Sequence, residues 1–258
     1  MTLANRGAVV TGGGRGIGAA AARALAAAGA RVLVAARHEP EVLAVAAEIS
    51  RTGGSAWATR CDVADPVSVT ALARTAGERL GTVDILINNA GTASSAPLHR
   101  TTLEEWHRLL AVNATGTFLC TQAILPGMLE RGWGRVVNVA SISGLEGAKY
   151  IAAYCAAKHA VVGFTKAMAV ETAGSGVTVN AVCPGYVDTP MTDATLGFVA
   201  QRTRKSRAEA LQAILAHAGQ PRLLTADEVA ATIVALCDEA AGALTGQTLV
   251  LDAGALRT

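Results

Sequence analysis

The first thirty residues already restrict what this chain can fold into. An apolar run from Arg6 to Val10 passes into the glycine-rich stretch TGGGRGIG and then into AAAARALAAAG, a text of strong helix formers. In the order strand, glycine turn, helix, a chain can present the free N–H groups of a helix N-terminus to a phosphate. Gly12, Gly16 and Gly18 give such a turn its tight bend, its close backbone approach to a ligand and its close helix-on-strand packing. The spacing, TGxxxGxG, differs from the GxGxxG of the commonest dinucleotide fingerprint. Its position between first strand and first helix still marks it as a phosphate-binding turn.

The alternation continues along the chain. ARVLVAAR (30–37) reads as a second strand, and the next helix starts at Pro40 and stops at a glycine pair. SAWATRCDV is a third strand ending at Asp62, followed by a helix opened by Asp65-Pro66 and closed at Gly81. VDILINNAG is the fourth strand, and a long helical region from Leu103 to Glu130 contains Asn113. GRVVNVAS is the fifth, with Ser141 at its carboxyl end, and VTVNAVCPG and QTLVLDAG are the sixth and last. Such near-continuously apolar strands belong to parallel sheets covered on both faces. The expectation is an α/β fold, a parallel sheet with helices on both faces in a single domain over residues 1–258, without linker or repeat. Residues 186–222 break the rhythm with YVDTPM, a basic helical-looking stretch and Gly219-Gln220-Pro221.

Composition narrows the partners. The 258 residues are 51% hydrophobic and 16% charged, so core-forming text is plentiful and disorder is not expected. A net charge of +2 with interspersed signs gives no electrostatic case for nucleic acid or an anionic membrane. The N-terminus has no secretory apolar region, and no apolar run reaches the ~20 residues that span a bilayer. Cys61, Cys120, Cys155, Cys183 and Cys237 are scattered without a CxxC pair, against both a disulfide framework and a zinc site. A cytoplasmic protein without a metal is expected.

Chemistry enters between Asn138 and Lys158. Tyr154 and Lys158 stand four residues apart, on one face of a helix if AAYCAAKHAVVGFTKAM is helical, and Ser141 precedes Tyr154 by thirteen residues. A phenol titrates near ~10, and a neighbouring ammonium favours its phenolate, which makes it an acid or base nearer neutral pH. Cys155 lies about 100° around the same helix from Tyr154, a packing position. His107 and His159 lie in helical text and carry no motif.

In the order TGGGRGIG (11–18), CDV with Asp62, NNAG (88–91), Asn113 in VNATG, Ser141 with Tyr154 and Lys158, and PGYVDTP (184–190), the chain resembles the short-chain dehydrogenase/reductase family over almost its whole length. The resemblance implies a single Rossmann-type doubly wound domain with a seven-stranded parallel sheet, and a homotetramer. It implies Tyr154 as general acid in reduction and base in oxidation, and Lys158 lowering the tyrosine pKa and binding the nicotinamide ribose. Ser141 would hold the substrate oxygen, and Asn113 would anchor a water that passes protons to Lys158. Cofactor contacts are expected from Gly12, Arg15, Gly16, Ile17, Gly18, Arg37, Asp62, Val63, Asn89, Ala90, Gly91, Tyr154, Lys158, Pro184, Gly185, Val187 and Thr189. Substrate contacts are expected from Ser141, Ser143, Gly144, Tyr150, Tyr154 and Tyr186.

NAD users place an acid at the end of the second strand for the ribose 2′-OH; here Ala36 stands there, followed by Arg37. An arginine grips a 2′-phosphate, and Arg15 in the glycine turn faces the same group, so NADP(H) is the preferred cofactor. The bland alternative leaves Arg15 solvated and pairs Arg37 with Glu39 or Glu41. A substrate lid is expected over roughly 189–221, where Arg202, Arg204, Lys205 and Arg207 form a basic run. That run is either a solvated helix face or a dock for the phosphates of coenzyme A or an acyl carrier protein. The leading expectation is an oxidoreductase interconverting a ketone and a secondary alcohol, with a 3-oxoacyl thioester as candidate substrate. An NAD(H)-dependent dehydrogenase of a cyclic or aromatic-pathway alcohol is the alternative. A non-catalytic nucleotide sensor is remote, because both tyrosine and lysine are present.

Overall fold

In a computed structural model, which describes residues 3–255, seven strands form one parallel sheet. They are Gly7–Thr11 (β1), Arg31–Ala36 (β2), Ser55–Arg60 (β3), Ile85–Asn88 (β4), Gly134–Val139 (β5), Val177–Pro184 (β6) and Thr248–Leu251 (β7). Their spatial order is β3-β2-β1-β4-β5-β6-β7. The chain works outward from β1 to β3 and then returns to the other side of β1 at β4. That reversal opens a crevice beyond the carboxyl ends of β1 and β4, where a doubly wound sheet binds ligands.

The helices are Gly16–Ala27 (α1), Glu39–Arg51 (α2), Pro66–Leu80 (α3), Leu103–Leu110 (α4), Gly116–Arg131 (α5), Ala152–Glu171 (α6), Pro190–Thr203 (α7), Arg207–Ala218 (α8) and Ala226–Cys237 (α9). Side chains alternate across a strand, so each strand feeds two cores. Val10, Val32, Val34, Ile85, Ile87 and Val137 pack with Leu25 of α1, Val42 and Ile49 of α2 and Ile233 of α9. Their neighbours Val9, Leu33, Leu86, Val136 and Val179 pack with Leu72 and Leu80 of α3 and with Cys120 and Met128 of α5 on the other face. Helix starts follow local chemistry. Asp65 accepts the Val67 N–H ahead of α3, and reciprocal capping boxes open α8 (Ser206 with Glu209) and α9 (Thr225 with Glu228).

Several boundaries depart from the sequence expectation. β3 stops at Arg60, and Asp62 turns the chain instead, its side chain accepting the Ala64 N–H at 3.0 Å. The long helical region is interrupted by one π-helical turn, Ala111–Thr115, between α4 and α5. By length and composition Leu103–Arg131 qualifies as bilayer-spanning, contrary to the sequence reading; half of its apolar window is buried, the character of a core helix. The basic run lies on no single helix face. α7 ends at Thr203, Arg204 takes a left-handed conformation (φ 54°) and α8 begins at Arg207.

One polar network crosses the middle of the sheet. Asn88 of β4 donates to Thr121 of α5 (3.0 Å) and to Asn138 of β5 (2.9 Å), and Asn138 donates to Thr165 of α6 (2.9 Å). Asn88, Thr121, Asn138 and Thr165 are all buried. Paired amides at this depth fix how α5 and α6 sit on the strands, although the Asn88 Oδ1 itself finds no partner among the described residues, and an amide left unpaired costs its desolvation. Asn138→Ala should therefore lower stability by roughly 2–3 kcal/mol, or about 5–10 °C in the thermal midpoint. An unchanged midpoint in scanning calorimetry would show that the network does not hold these layers.

Candidate active site

The crevice is built on the glycine turn. Thr11 Oγ1 accepts the N–H groups of Asn89 (3.1 Å) and Ala90 (3.2 Å), while the Asn89 amide donates to the carbonyls of Thr11 and Gly12, both at 3.0 Å. The end of β4 is thereby clamped against the turn. Gly12 sits at φ 63°, and a Cβ there would lie 2.7 Å from Ala90 Cα; a Cβ on Gly18 would lie 2.3 Å from Asn89 Nδ2. Gly18 thus serves the packing of turn on strand. α1 begins at Gly16 with Arg15 extended before it and no side-chain cap, which leaves its first-turn N–H groups facing the cleft.

The cleft has a volume of about 420 Å³ and is lined by Gly12, Arg15, Gly16, Ile17, Arg37, Asp62, Val63, Asn89, Ala90, Gly91 and Thr189. It shares Ile17, Asn89, Gly91 and Thr189 with a recess of about 110 Å³ formed by Asn113, Ser141, Tyr154, Lys158, Pro184, Gly185 and Val187. Apart from Gly18, every residue expected to touch a cofactor therefore lines one connected groove. Uncapped amides, glycines with no room for a side chain, and an exposed Arg37 at the far end fit a phosphorylated dinucleotide.

At the recess, β5 delivers Ser141 and α6 delivers Tyr154 and Lys158. Ser141 caps a short 3-10 turn (Ile142–Gly144), its hydroxyl accepting the Ser143 N–H at 3.1 Å. Lys158 is only 4% exposed and donates to the Val139 carbonyl at 2.8 Å. Its Nζ lies 5.8 Å from the centre of the Tyr154 ring. Asn113, in the π turn, spends its amide on the carbonyls of Thr92 and Leu109 (both 2.9 Å) and accepts the Thr92 N–H at 3.2 Å. Its competition for the Leu109 carbonyl accompanies the widened turn.

The electrostatics differ from the sequence expectation. Burial pushes the Tyr154 phenol up to about 12, with the Ser141 side-chain hydrogen bond drawing it back partway. Burial also pushes the Lys158 ammonium down to about 8. Loss of water at the phenol outweighs the Ser141 hydrogen bond, and the tyrosine keeps its proton at neutral pH.

The expected substrate wall is only partly where sequence put it. Ser141 and Tyr154 face the recess. Ser143, Gly144, Tyr150 and Tyr186 are not among its lining residues. Gly144 is turned inward, where a Cβ would lie 2.8 Å from the Lys158 carbonyl, so it serves the packing of α6. Tyr150 is 61% exposed at φ 68°, and its carbonyl accepts the Ala96 N–H at 2.7 Å. Tyr186 packs against the α7–α8 pair, its backbone bridged by Gln220. Sequence reading missed Met191 and Thr192 in the recess and His38 and Glu41 in the cleft. Met191 and Thr192 directly follow the TP of PGYVDTP, a signal that was available.

At the ribose end the bland alternative is reversed. Arg15, not Arg37, pairs with Glu41 (3.8 Å), and among the described residues Arg37 forms no ion pair. In the basic run, Arg207 pairs with Asp193 and Arg202 lies over the Phe198 ring at 5.6 Å.

A lysine whose pKa falls on folding binds a proton less tightly in the native state, so between about 8 and its ordinary 10.5 the unfolded chain holds more protons and stability rises with pH. Below pH 8 the full penalty of the buried charge is present. Lys158→Met should be the more stable protein at pH 7, by roughly 3 kcal/mol at most, and this advantage should shrink as pH is raised towards 10. Parallel stability curves across pH 7–10 in chemical denaturation would refute the buried charge as its source.

Comparison with known proteins agrees with this geometry. Residues 6–197 match the family described as short chain dehydrogenase. A 3-oxoacyl-[acyl-carrier-protein] reductase of Synechocystis is 43% identical over 250 residues, covering 96% of this chain and 95% of the relative. A D-beta-hydroxybutyrate dehydrogenase of Rhizobium meliloti is 36% identical, covering 96% and 97%. The crystal structure of an actinorhodin polyketide ketoreductase variant with NADPH superposes with a TM-score of 0.93 at 39% identity, covering 99% of both chains. With a family match over residues 6–197 and full-length relatives above 30% identity, the chain belongs to the short-chain dehydrogenase/reductase family.

Proposed function

We propose that this chain is an NADP(H)-dependent ketoreductase that reduces the keto group of a 3-oxoacyl thioester to a secondary alcohol. The observation that carries this reading is the meeting of Ser141, Tyr154 and Lys158 in one recess at the end of β5, with the phenol held in its protonated form. The names of the relatives, a 3-oxoacyl-[acyl-carrier-protein] reductase and a polyketide ketoreductase with NADPH, support the substrate class and the cofactor. The uncapped start of α1 and Arg37 would hold the cofactor phosphates, and the bound nicotinamide supplies a hydride to the carbonyl carbon.

The protein's own groups do the rest. Ser141 donates to the substrate carbonyl oxygen, and Tyr154 transfers its proton to that oxygen as the alcohol forms. A phenol with a raised pKa holds its proton at neutral pH and is the weaker acid for it, so the transfer relies on stabilisation of the phenolate that forms. Lys158, still largely charged at pH 7, stabilises the phenolate left behind and binds the nicotinamide ribose. Asn113 pins the Thr92 backbone and anchors the water through which the phenolate is reprotonated. Residues 189–221 close over the substrate as a lid.

A carbonyl panel containing 3-oxoacyl thioesters, cyclic ketones, diketones and quinones tests this, read as loss of NADPH or NADH absorbance. Turnover should be highest with NADPH and a 3-oxoacyl thioester and should fall at least ~100-fold in Tyr154→Phe, in line with loss of a positioned general acid. A faster reaction of NADH with a cyclic ketone would instead select the dehydrogenase reading. In the same panel, Arg204→Ala/Lys205→Ala should raise the KM for a coenzyme A thioester; an unchanged KM would remove the basic run as its dock.

We further propose a cytoplasmic homotetramer. Phe118 of α5, 42% exposed, meets Phe164 of α6 edge to face at 6.3 Å, an apolar helix face suited to a second copy. Light scattering should give four times the 26.1 kDa chain mass, and a monomer would end that proposal.

A further inference from the structure

Glu41 lies on the rim of the cleft, on the first turn of α2, and its side chain folds back over the glycine turn. A Cβ on Gly14 would lie 2.7 Å from Glu41 Cβ and 3.0 Å from Glu41 Oε2, so the carboxylate rests against the turn. Its other oxygen is 3.8 Å from Arg15 NH1 and 3.6 Å from His38 Nδ1. Glu41 is 33% exposed, against 68% for Arg15 and 67% for His38, so the acid is the more enclosed member of the cluster. Arg15, Arg37, His38 and Glu41 all line the same end of the cleft as Ala36, the residue that closes β2.

We infer that Glu41 sets how strongly this chain discriminates between NADP(H) and NAD(H), as a resident counter-charge that the ribose 2′-phosphate must displace from Arg15. The inference rests on the NADP(H) reading above. A phosphate entering beside Arg37 meets one arginine without an ion-pair partner among the described residues and one that already faces a carboxylate at 3.8 Å. The same carboxylate repels the phosphate directly, since like charges a few ångströms apart at a half-exposed site are only partly screened. A ribose bearing a free 2′-OH is neutral and meets neither cost. Glu41 therefore lowers affinity for the phosphorylated cofactor selectively, and it partly offsets the preference that Ala36 and Arg37 create.

A purely structural role for Glu41 predicts otherwise. As an acid in the first turn of α2 it stabilises that helix end slightly. Losing that contribution would affect phosphorylated and unphosphorylated ligands alike. Glu41→Gln keeps the shape over Gly14 and removes only the charge, so the two roles separate.

Calorimetric titration of the cofactor-free protein with 2′,5′-ADP and 5′-AMP, repeated with NADPH and NADH, tests the assignment without turnover. In Glu41→Gln, 2′,5′-ADP and NADPH should bind about three- to tenfold more tightly, as expected for removing one partly screened like charge. 5′-AMP and NADH should change less than about twofold. The gain should shrink when Arg15→Gln is added, because a freed Arg15 is part of its origin. Weaker binding of 2′,5′-ADP in Glu41→Gln, or an equal change for both ligand pairs, would overturn the inference. Wild-type protein that binds 5′-AMP as tightly as 2′,5′-ADP, with Arg37→Asp changing neither, would overturn the NADP(H) reading beneath it. A wild-type preference for the phosphorylated ligand with no effect of Glu41→Gln would overturn the role of Glu41 alone.

Discussion

A buried lysine bonded to a strand carbonyl underlies the catalytic end of this molecule. Lys158 reaches from α6 to the Val139 carbonyl at the last residue of β5, 2.8 Å away, with almost none of its surface in water. A charge in that position is expensive and is tolerated only where its donors are used. The bond fixes α6 against β5, and one layer deeper Asn138 and Thr165 join the same two elements. Ser141 follows β5 by two residues and Tyr154 lies one helical turn before Lys158, so their meeting is a consequence of this packing. The desolvation that makes the lysine costly also keeps the proton on the phenol. Structure and acid–base state at this site have one cause.

The second constraint is the close approach of β4 to the glycine turn. Thr11 and Asn89 share two hydrogen bonds across the point where the sheet reverses, and the Thr11 hydroxyl accepts a third from the Ala90 N–H. Glycine at positions 12 and 18 is the condition for that approach, since a side chain at either would collide with the end of β4. One set of contacts therefore shapes the cleft and leaves the start of α1 uncapped towards it.

What could be read from the sequence was what depends on short-range geometry. A glycine turn between strand and helix is a backbone requirement, and a Tyr–Lys pair four residues apart is fixed by helical pitch. Apolar strands and their succession along the chain follow from periodicity, while their order in the sheet is seen only in the structure. What could not be read depends on partners far along the chain. The π turn at Asn113 is tied to Thr92, twenty-one residues away, and no local signal announces it. Gly144 and Ser143 were placed in the substrate wall because they follow Ser141 in sequence. The 3-10 turn instead rotates Gly144 under α6 and uses the Ser143 N–H to hold Ser141.

The same limit governs the charges, and there it alters the functional argument. Reading cofactor preference from Ala36 and Arg37 treats selectivity as a property of one strand end, whereas the field at the ribose is the sum of every charge around it. Glu41 enters that sum from the first turn of α2, and it reaches Arg15 rather than Arg37. The basic run behaves alike in part: Arg207 is held by Asp193, while Arg202, which lies on Phe198, and Arg204 and Lys205 at the break between helices form no ion pair among the described residues. A cation with a resident carboxylate partner must exchange that partner for a ligand phosphate, and the net gain is then the difference between two similar ion pairs. Counting arginines in the sequence overstates anion affinity at both places, and it does so more at the ribose end, where the competing acid is itself part of the cleft.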